Sequence, residues 1–145
     1  MDDKIFLEWV DFHKDVVVLR DKIRESGEYS KIVAVSRGGL IPTGLLAYML
    51  GIRDVAVVNV SSYFEGGKHL KIEKIDDWER AGKVDEKTLV VDDLVDSGQT
   101  FSVMKKFFPK AKFVSVYTKP EGRGVADIYV KELPDRWVVF PWDEF

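Results

Sequence analysis

Residues 89–100, LVVDDLVDSGQT, place three carboxylates, Asp92, Asp93 and Asp96, at the end of an apolar run. Ser97-Gly98-Gln99-Thr100 follows at once. The run has the length and branching of a buried strand, and the residues after it take up a helical spacing. The small polar stretch therefore falls where a strand hands over to a helix. Backbone N–H groups at a helix start are unpaired and point outward, and the helix dipole is positive there. Small residues let a phosphate approach, and the Ser97 and Thr100 hydroxyls add donors. The glycine–lysine spacing of a P-loop is absent. Two adjacent carboxylates suit ribose hydroxyls or a hydrated divalent cation. Helix capping by Asp96 or Ser97 explains one acid at such a junction but not three.

A second loop, Ser36-Arg37-Gly38-Gly39, also follows a β-branched run, Ile32 to Val35. Its glycines expose backbone N–H groups and Arg37 supplies a fixed positive charge, a combination suited to an anion. Alone, Arg-Gly-Gly is as compatible with an ordinary turn. A third loop, Thr118-Lys119-Pro120, follows the run KFVSVYTK; a single lysine at a strand end reads by itself as solvated surface.

These loops need a frame. Trp9, Phe12, Val16, Leu19 and Ile23 recur at spacings of three and four, which predicts a helix ending near Ser26-Gly27. LIPTGLLAYMLG predicts a second helix, stopped by Gly51. TFSVMKKFF predicts a third, with Pro109 just beyond its end. KIVAV, VAVVNVSSY, TLVVDD and KFVSVYTK read as strands buried on both faces, and DIYV and WVVF as two short ones. Residues 64–88 are polar, charged and interrupted by glycines. Strands alternating with helices imply a mainly parallel sheet covered on both sides. Ligands of such sheets bind at the carboxyl ends of the strands, where all three loops lie.

Composition narrows the chemistry. The chain has 145 residues, a length for one domain, and 46% of them are apolar, enough for a core. Without cysteine it has no disulfide, thiolate metal site or cysteine nucleophile. Two histidines, His13 and His69, are too few for a histidine cage. The net charge of -3 and the lack of a basic block disfavour nucleic acid as a partner. The acidic first residues show no secretory signal, and no run approaches the roughly 20 apolar residues of a membrane span. A cytoplasmic protein is expected.

LVVDDLVDSGQT resembles the phosphoribosyl-pyrophosphate signature of the type I phosphoribosyltransferases. AVSRGGLIP, LGIR, SSY, the KP and GR of KPEGR, and RWVVFPWD are similar, in the same order, to stretches of the xanthine-guanine (6-oxopurine) branch of that family. The resemblance implies an α/β fold with a mainly parallel five-stranded sheet flanked by helices. It also implies a small hood over about 119–145 and a mobile loop over about 62–75. It implies that Asp92 and Asp93 hold the ribose 2′- and 3′-hydroxyls and Mg2+, largely through water. Residues Asp96, Ser97, Gly98, Gln99 and Thr100 would cradle the 5′-phosphate, with Asp96 as general acid/base beside the purine N7. Ser36, Arg37 and Gly38 would bind pyrophosphate, with a cis peptide near Arg37-Gly38. Lys68 stands where the family's loop carries an arginine near pyrophosphate, in a stretch one residue shorter. Lys119 would donate to the purine 6-oxo group, and Trp137 and Val138 would cover and read the base. Arg123 matches the arginine of the family's GR pair.

The activity so implied joins guanine, hypoxanthine or xanthine to phosphoribosyl pyrophosphate (PRPP), giving a purine nucleoside monophosphate and pyrophosphate. A homodimer or homotetramer is expected. Two rivals stand beside this reading. One is a regulator of the same fold that senses PRPP or nucleotide and binds nucleic acid, since fold does not settle function. The other is a phosphoribosyltransferase for another nucleobase. Gln99, where many relatives have glycine, and the end of the sequence at Phe145 depart from the pattern.

Overall fold

In a computed structural model of the chain, described for residues 4–65 and 70–143 and for the backbone alone at 62–65 and 70–73, a six-stranded sheet carries helices on both faces. The chain runs β1 (Lys4–Phe6), α1 (Trp9–Ser26), β2 (Lys31–Ser36), α2 (Leu40–Leu50) and β3 (Asp54–Glu65). It continues through β4 (Leu70–Asp76), β5 (Thr88–Val95), α3 (Gln99–Phe107), β6 (Lys112–Thr118), β7 (Lys131–Glu132) and β8 (Trp137–Val139). The sheet order is β4-β3-β2-β5-β6-β7. All neighbours are parallel except β3 and β4, which form an antiparallel hairpin.

The expected five parallel strands are present, and β4 adds a sixth. The stretch read as a loop over 62–75 is largely this hairpin, with Asn59 opposite Asp76 and Glu65 opposite Leu70. Its charged residues hid a strand because a hairpin at a sheet edge can keep polar side chains in water. Lys68, Gly66, Gly67 and His69 lie outside the described residues. DIYV is not a strand: Ile128 makes an isolated bridge to Val114, and the paired residues come later, at Lys131–Glu132. WVVF does pair, but with β1 in a separate two-stranded sheet.

The helical spacing of α1 is borne out. Phe12, Val16, Leu19 and Ile23 are buried against the sheet, each contributing about 1.5–3 kcal/mol of transfer free energy. Trp9 is the exception, 54% exposed at the helix start and packed beside Trp142 at 5.7 Å between ring centroids. Gly51 ends α2 in the left-handed region at φ 68°, and its N–H meets the Tyr48 carbonyl at 3.3 Å. β3 is less buried than its apolar run implies. Val55 and Val57 are both exposed, because α2 lies over β2 and β5 and no described helix covers β3 on that side.

A buried polar pin joins α1 to β6. The Tyr117 hydroxyl donates to Asp15 Oδ2 at 2.5 Å, and Lys131 Nζ lies 3.3 Å from the same carboxylate. Burial first, then the hydrogen bond to Asp15 and its charge, pushes the phenol well above its usual range, so it remains a donor. Tyr117→Phe should cost about 1–3 kcal/mol, read as a lower urea midpoint at unchanged slope. An unmoved midpoint would show that the pin contributes nothing. Among the described residues no helix is long and apolar enough to cross a membrane.

Candidate active site

The ends of β2, β5 and β6 bring the three loops to one edge of the sheet, and two cavities open there. The first, about 340 Å³, is lined by Asp92 and the whole run from Leu94 to Phe101, with Glu121 across from them. It is built by a turn that only glycine fits at one position. Gly98 has φ 92°, and a Cβ there would come 2.6 Å from Val125 Cγ2. From Gly98 the chain enters α3, whose first turn contains no acid and whose N-cap makes no side-chain hydrogen bond to the helix. The positive helix end borders this cavity, with no acid in its first turn to oppose an anion. Ser97 Oγ accepts from the Gln99 N–H at 3.2 Å.

Asp96 does not cap the helix. Its side chain is 70% exposed, and Oδ1 lies 3.6 Å from Lys119 Nζ. Lys119 is 7% exposed. It is carried on the turn after β6, where the Lys119 N–H donates to the Val95 carbonyl at 2.8 Å. Gly122 lets this turn lie against β5, since a Cβ there would meet Val95 Cγ1 at 2.5 Å and the Asp96 carbonyl oxygen at 2.8 Å. A lysine that looked like solvated surface in the sequence is thus a buried ammonium facing the general acid/base candidate.

The second cavity, about 710 Å³, lies beside Arg37 and Gly38 and is also lined by Asp93, Val138, Phe140, Trp142 and Asp143. Asp92 and Asp93 are consecutive on β5; Asp92 lines the first cavity and Asp93 the second. Their carboxylates nonetheless lie within hydrogen-bonding reach of each other at the strand end. Gly38 backs Asp93 closely: a Cβ there would come 2.6 Å from the Asp93 carboxylate. Burial pushes the Asp93 carboxyl up. The hydrogen bonds with Asp92 and the Leu94 N–H draw it down, and the charge of Asp143 raises it a little further. The Arg37 guanidinium makes no hydrogen bond or ion pair among the described residues. The cis peptide is Ser36-Arg37, one bond earlier than the resemblance puts it.

Val138 is buried and lines the second cavity, whereas Trp137 is 70% exposed and lines neither. The alternation of β8 turns one inward and the other out. Arg123 is a clamp on β7, with Nε 2.7 Å and an Nη 2.8 Å from the Glu132 carboxylate oxygens. Two acids escaped the sequence reading. Glu121 joins the first cavity and Asp143 the second, the latter held by accepting the Phe140 N–H at 2.9 Å. The WD of RWVVFPWD was the available signal for Asp143.

An acidic strand end, a helix start and the Arg37 guanidinium thus share one sheet edge. Residues 7–144 match the phosphoribosyl transferase domain family, and the chain belongs to it. The sheet and its flanking helices are the type I phosphoribosyltransferase fold.

Among solved structures, the purine phosphoribosyltransferase of Pyrococcus horikoshii is 32% identical, with a TM-score of 0.84 over 99% of this chain and 95% of that one. The xanthine-guanine-hypoxanthine phosphoribosyltransferase of Helicobacter pylori is 27% identical, with a TM-score of 0.81 over 97% and 94%. A hypothetical protein from Neisseria gonorrhoeae with bound ppGpp is 26% identical, with a TM-score of 0.79 over 100% and 92%.

Proposed function

We propose that this chain transfers the phosphoribosyl group of PRPP to a 6-oxopurine, releasing pyrophosphate and the nucleoside 5′-monophosphate. The observation that carries the reading is the ion pair of Lys119 and Asp96, 3.6 Å apart at the mouth of the phosphate-binding turn. The 6-oxo group and N7 of such a base are adjacent on one edge. In the tautomer of the free base that carries its proton on N7, a donor and an acceptor at this spacing match that edge, Lys119 donating to the oxygen and Asp96 accepting from N7–H. Adenine would present an amine to the ammonium. The similarity to the Pyrococcus horikoshii and Helicobacter pylori enzymes supports the same substrate class.

In the reaction the base N9 forms a bond to the ribose C1′ as the C1′–O bond to pyrophosphate breaks. The proton released by the base goes to Asp96. The open start of α3, with Ser97, Gly98, Gln99 and Thr100, holds the 5′-phosphate. Asp92, on the same side, takes the ribose hydroxyls. Arg37 and the Ser36–Gly38 backbone receive the leaving pyrophosphate. Val138 borders the base side of the second cavity.

The carboxylates of Asp93 and Asp143 on that cavity are hard oxygen donors beside a diphosphate position, which fits Mg2+. Among the described residues no three acids or histidines converge to hold a metal by themselves. Water and diphosphate oxygens would complete its shell, and the ion would supply charge neutralisation for the departing group.

The test is incubation with PRPP, Mg2+ and, separately, guanine, hypoxanthine, xanthine, adenine and uracil, with the product identified by mass. Nucleotide should form from one or more of the three 6-oxopurines and not from adenine or uracil. Adenosine monophosphate as the main product would reject the reading. Lys119→Ala should raise KM for the accepted oxopurine by about 10–100-fold, the loss of a charge-assisted bond. An unaltered KM would remove Lys119 from base recognition.

A further inference from the structure

Gly98 stands between the end of β5 and the start of α3, in the left-handed region at φ 92°. A glycine enters that conformation without strain and leaves it as easily, since it populates both halves of backbone space. It also has no side chain with which to cap the helix or pack the turn. The turn needs a hold from outside itself, and the segment after β6 supplies one.

That segment meets the turn at two points. Gly122 lies against one side, where a Cβ would come 2.5 Å from Val95 Cγ1 and 2.8 Å from the Asp96 carbonyl oxygen. Val125 lies on Gly98 itself. Its Cγ2 and Cβ stand 2.6 and 3.3 Å from the point a Cβ of residue 98 would occupy, so the valine fills the space the missing side chain leaves. Valine suits a wedge, because branching at Cβ restricts its rotamer. Val125 is not on the wall of the first cavity; it backs the turn that is.

Hydrogen bonds fix the wedge. The Val125 N–H donates to the Gly122 carbonyl at 3.1 Å. The Val125 carbonyl accepts from Lys105 Nζ, in the last turn of α3, at 2.6 Å. The same ammonium lies 5.5 Å from the centre of the Phe113 ring. Between these points the paired bonds of Arg123 to Glu132 tie the segment to β7. The C-terminal end of α3 thus grips the residue that packs on its N-terminal end.

We propose, on the footing that residues 97–100 hold the 5′-phosphate, that Val125 is a positioning residue for that phosphate. It keeps the Gly98 turn in its binding conformation before the ligand arrives, and Lys105 keeps Val125 in place. Without the wedge the turn spreads over several conformations. A competent state populated about one tenth of the time weakens binding about tenfold, with no contact to the ligand lost. The loss falls on PRPP and the nucleotide product, which carry the phosphate. It spares the base, whose proposed contacts run through Lys119 and Asp96.

The test combines titration calorimetry with guanosine, inosine and xanthosine 5′-monophosphates and steady-state kinetics with each substrate varied at saturation of the other. Val125→Ala should raise Kd for the nucleotide and KM for PRPP about tenfold, with KM for the base unchanged. Val125→Thr, of the same shape, should restore both. Lys105→Met should shift nucleotide affinity in the same direction as Val125→Ala. Tyr117→Phe, which removes the pin between α1 and β6, should lower stability without weakening nucleotide binding. A wild type that binds nucleotide, beside a Val125→Ala variant that binds it equally well, would overturn this role and leave the proposed function standing. So would a loss shared equally by the base, a threonine variant as weak as the alanine one, or an equal loss in Tyr117→Phe. A wild type that binds none of the three nucleotides would overturn the proposed function and this role of Val125 with it.

Discussion

Replacing Asp96 with asparagine is expected to lower kcat for the preferred oxopurine by about 10²–10⁴-fold, the usual contribution of a positioned acid/base. Asparagine keeps the shape and can still accept a hydrogen bond from Lys119, but it cannot take the proton that leaves the base. Asp96 is largely exposed and caps no helix, so the fold should tolerate the change. Thermal stabilisation by the nucleotide product should survive, because the proposed phosphate contacts are those of the backbone of residues 97–100 and not of this side chain. The two readouts must be taken together. Lost turnover with lost stabilisation would mean a collapsed loop, and full turnover would remove Asp96 from the chemistry.

Gly39→Ala should produce the largest loss of stability of any single methyl addition at the site. Gly39 precedes α2 with φ -76°, so its backbone would accept any residue. The limit is space. Its N–H donates to the Val35 carbonyl at 2.7 Å. An added Cβ would collide with the Val91 carbonyl oxygen and lie 2.7 Å from the Val35 oxygen and 2.9 Å from the Val35 nitrogen. These atoms belong to two central strands and cannot swing aside as a side chain would. Overpacking of this kind costs about 3 kcal/mol or more, which for a domain of this size lowers Tm by about 10 °C. A melt of the Gly39→Ala variant that matched the wild type would show that α2 does not start against β2 and β5 as described. Gly44→Ala serves as the control, since its Cβ meets no atom of the chain.

The parts of the fold that were legible share one property: their signal is local. The stripe from Phe12 to Ile23 follows from helical spacing, and the end of α2 follows from Gly51. The buried runs of β2, β5 and β6 follow from continuous β-branched and apolar residues. The loop after Asp92 stood out as a candidate site because three acids beside Ser-Gly-Gln-Thr have no common structural use. What the sequence hid depends on remote partners. β1 is three residues long and exists because Lys4–Phe6 lies beside Trp137–Val139. Val55 and Val57 read as core, yet their exposure depends on where α2 lies across the sheet. Lys119 read as surface, and only the approach of the β6 turn to β5 buries it beside Asp96.

Local residue order was enough to set the succession of strand, loop and helix, and the chemical types delivered to the carboxyl edge of the sheet. Residue spacing and backbone preference act over a few positions, so they can be read directly. Which acids share a cavity came from long-range packing. Packing set Asp92 on the first cavity and Asp93 on the second and brought Glu121 and Asp143 in from distant segments. It also turned Trp137 outward and Val138 inward. Those outcomes depend on register and on the crossing of layers, and both are settled when segments far apart in the chain pack together.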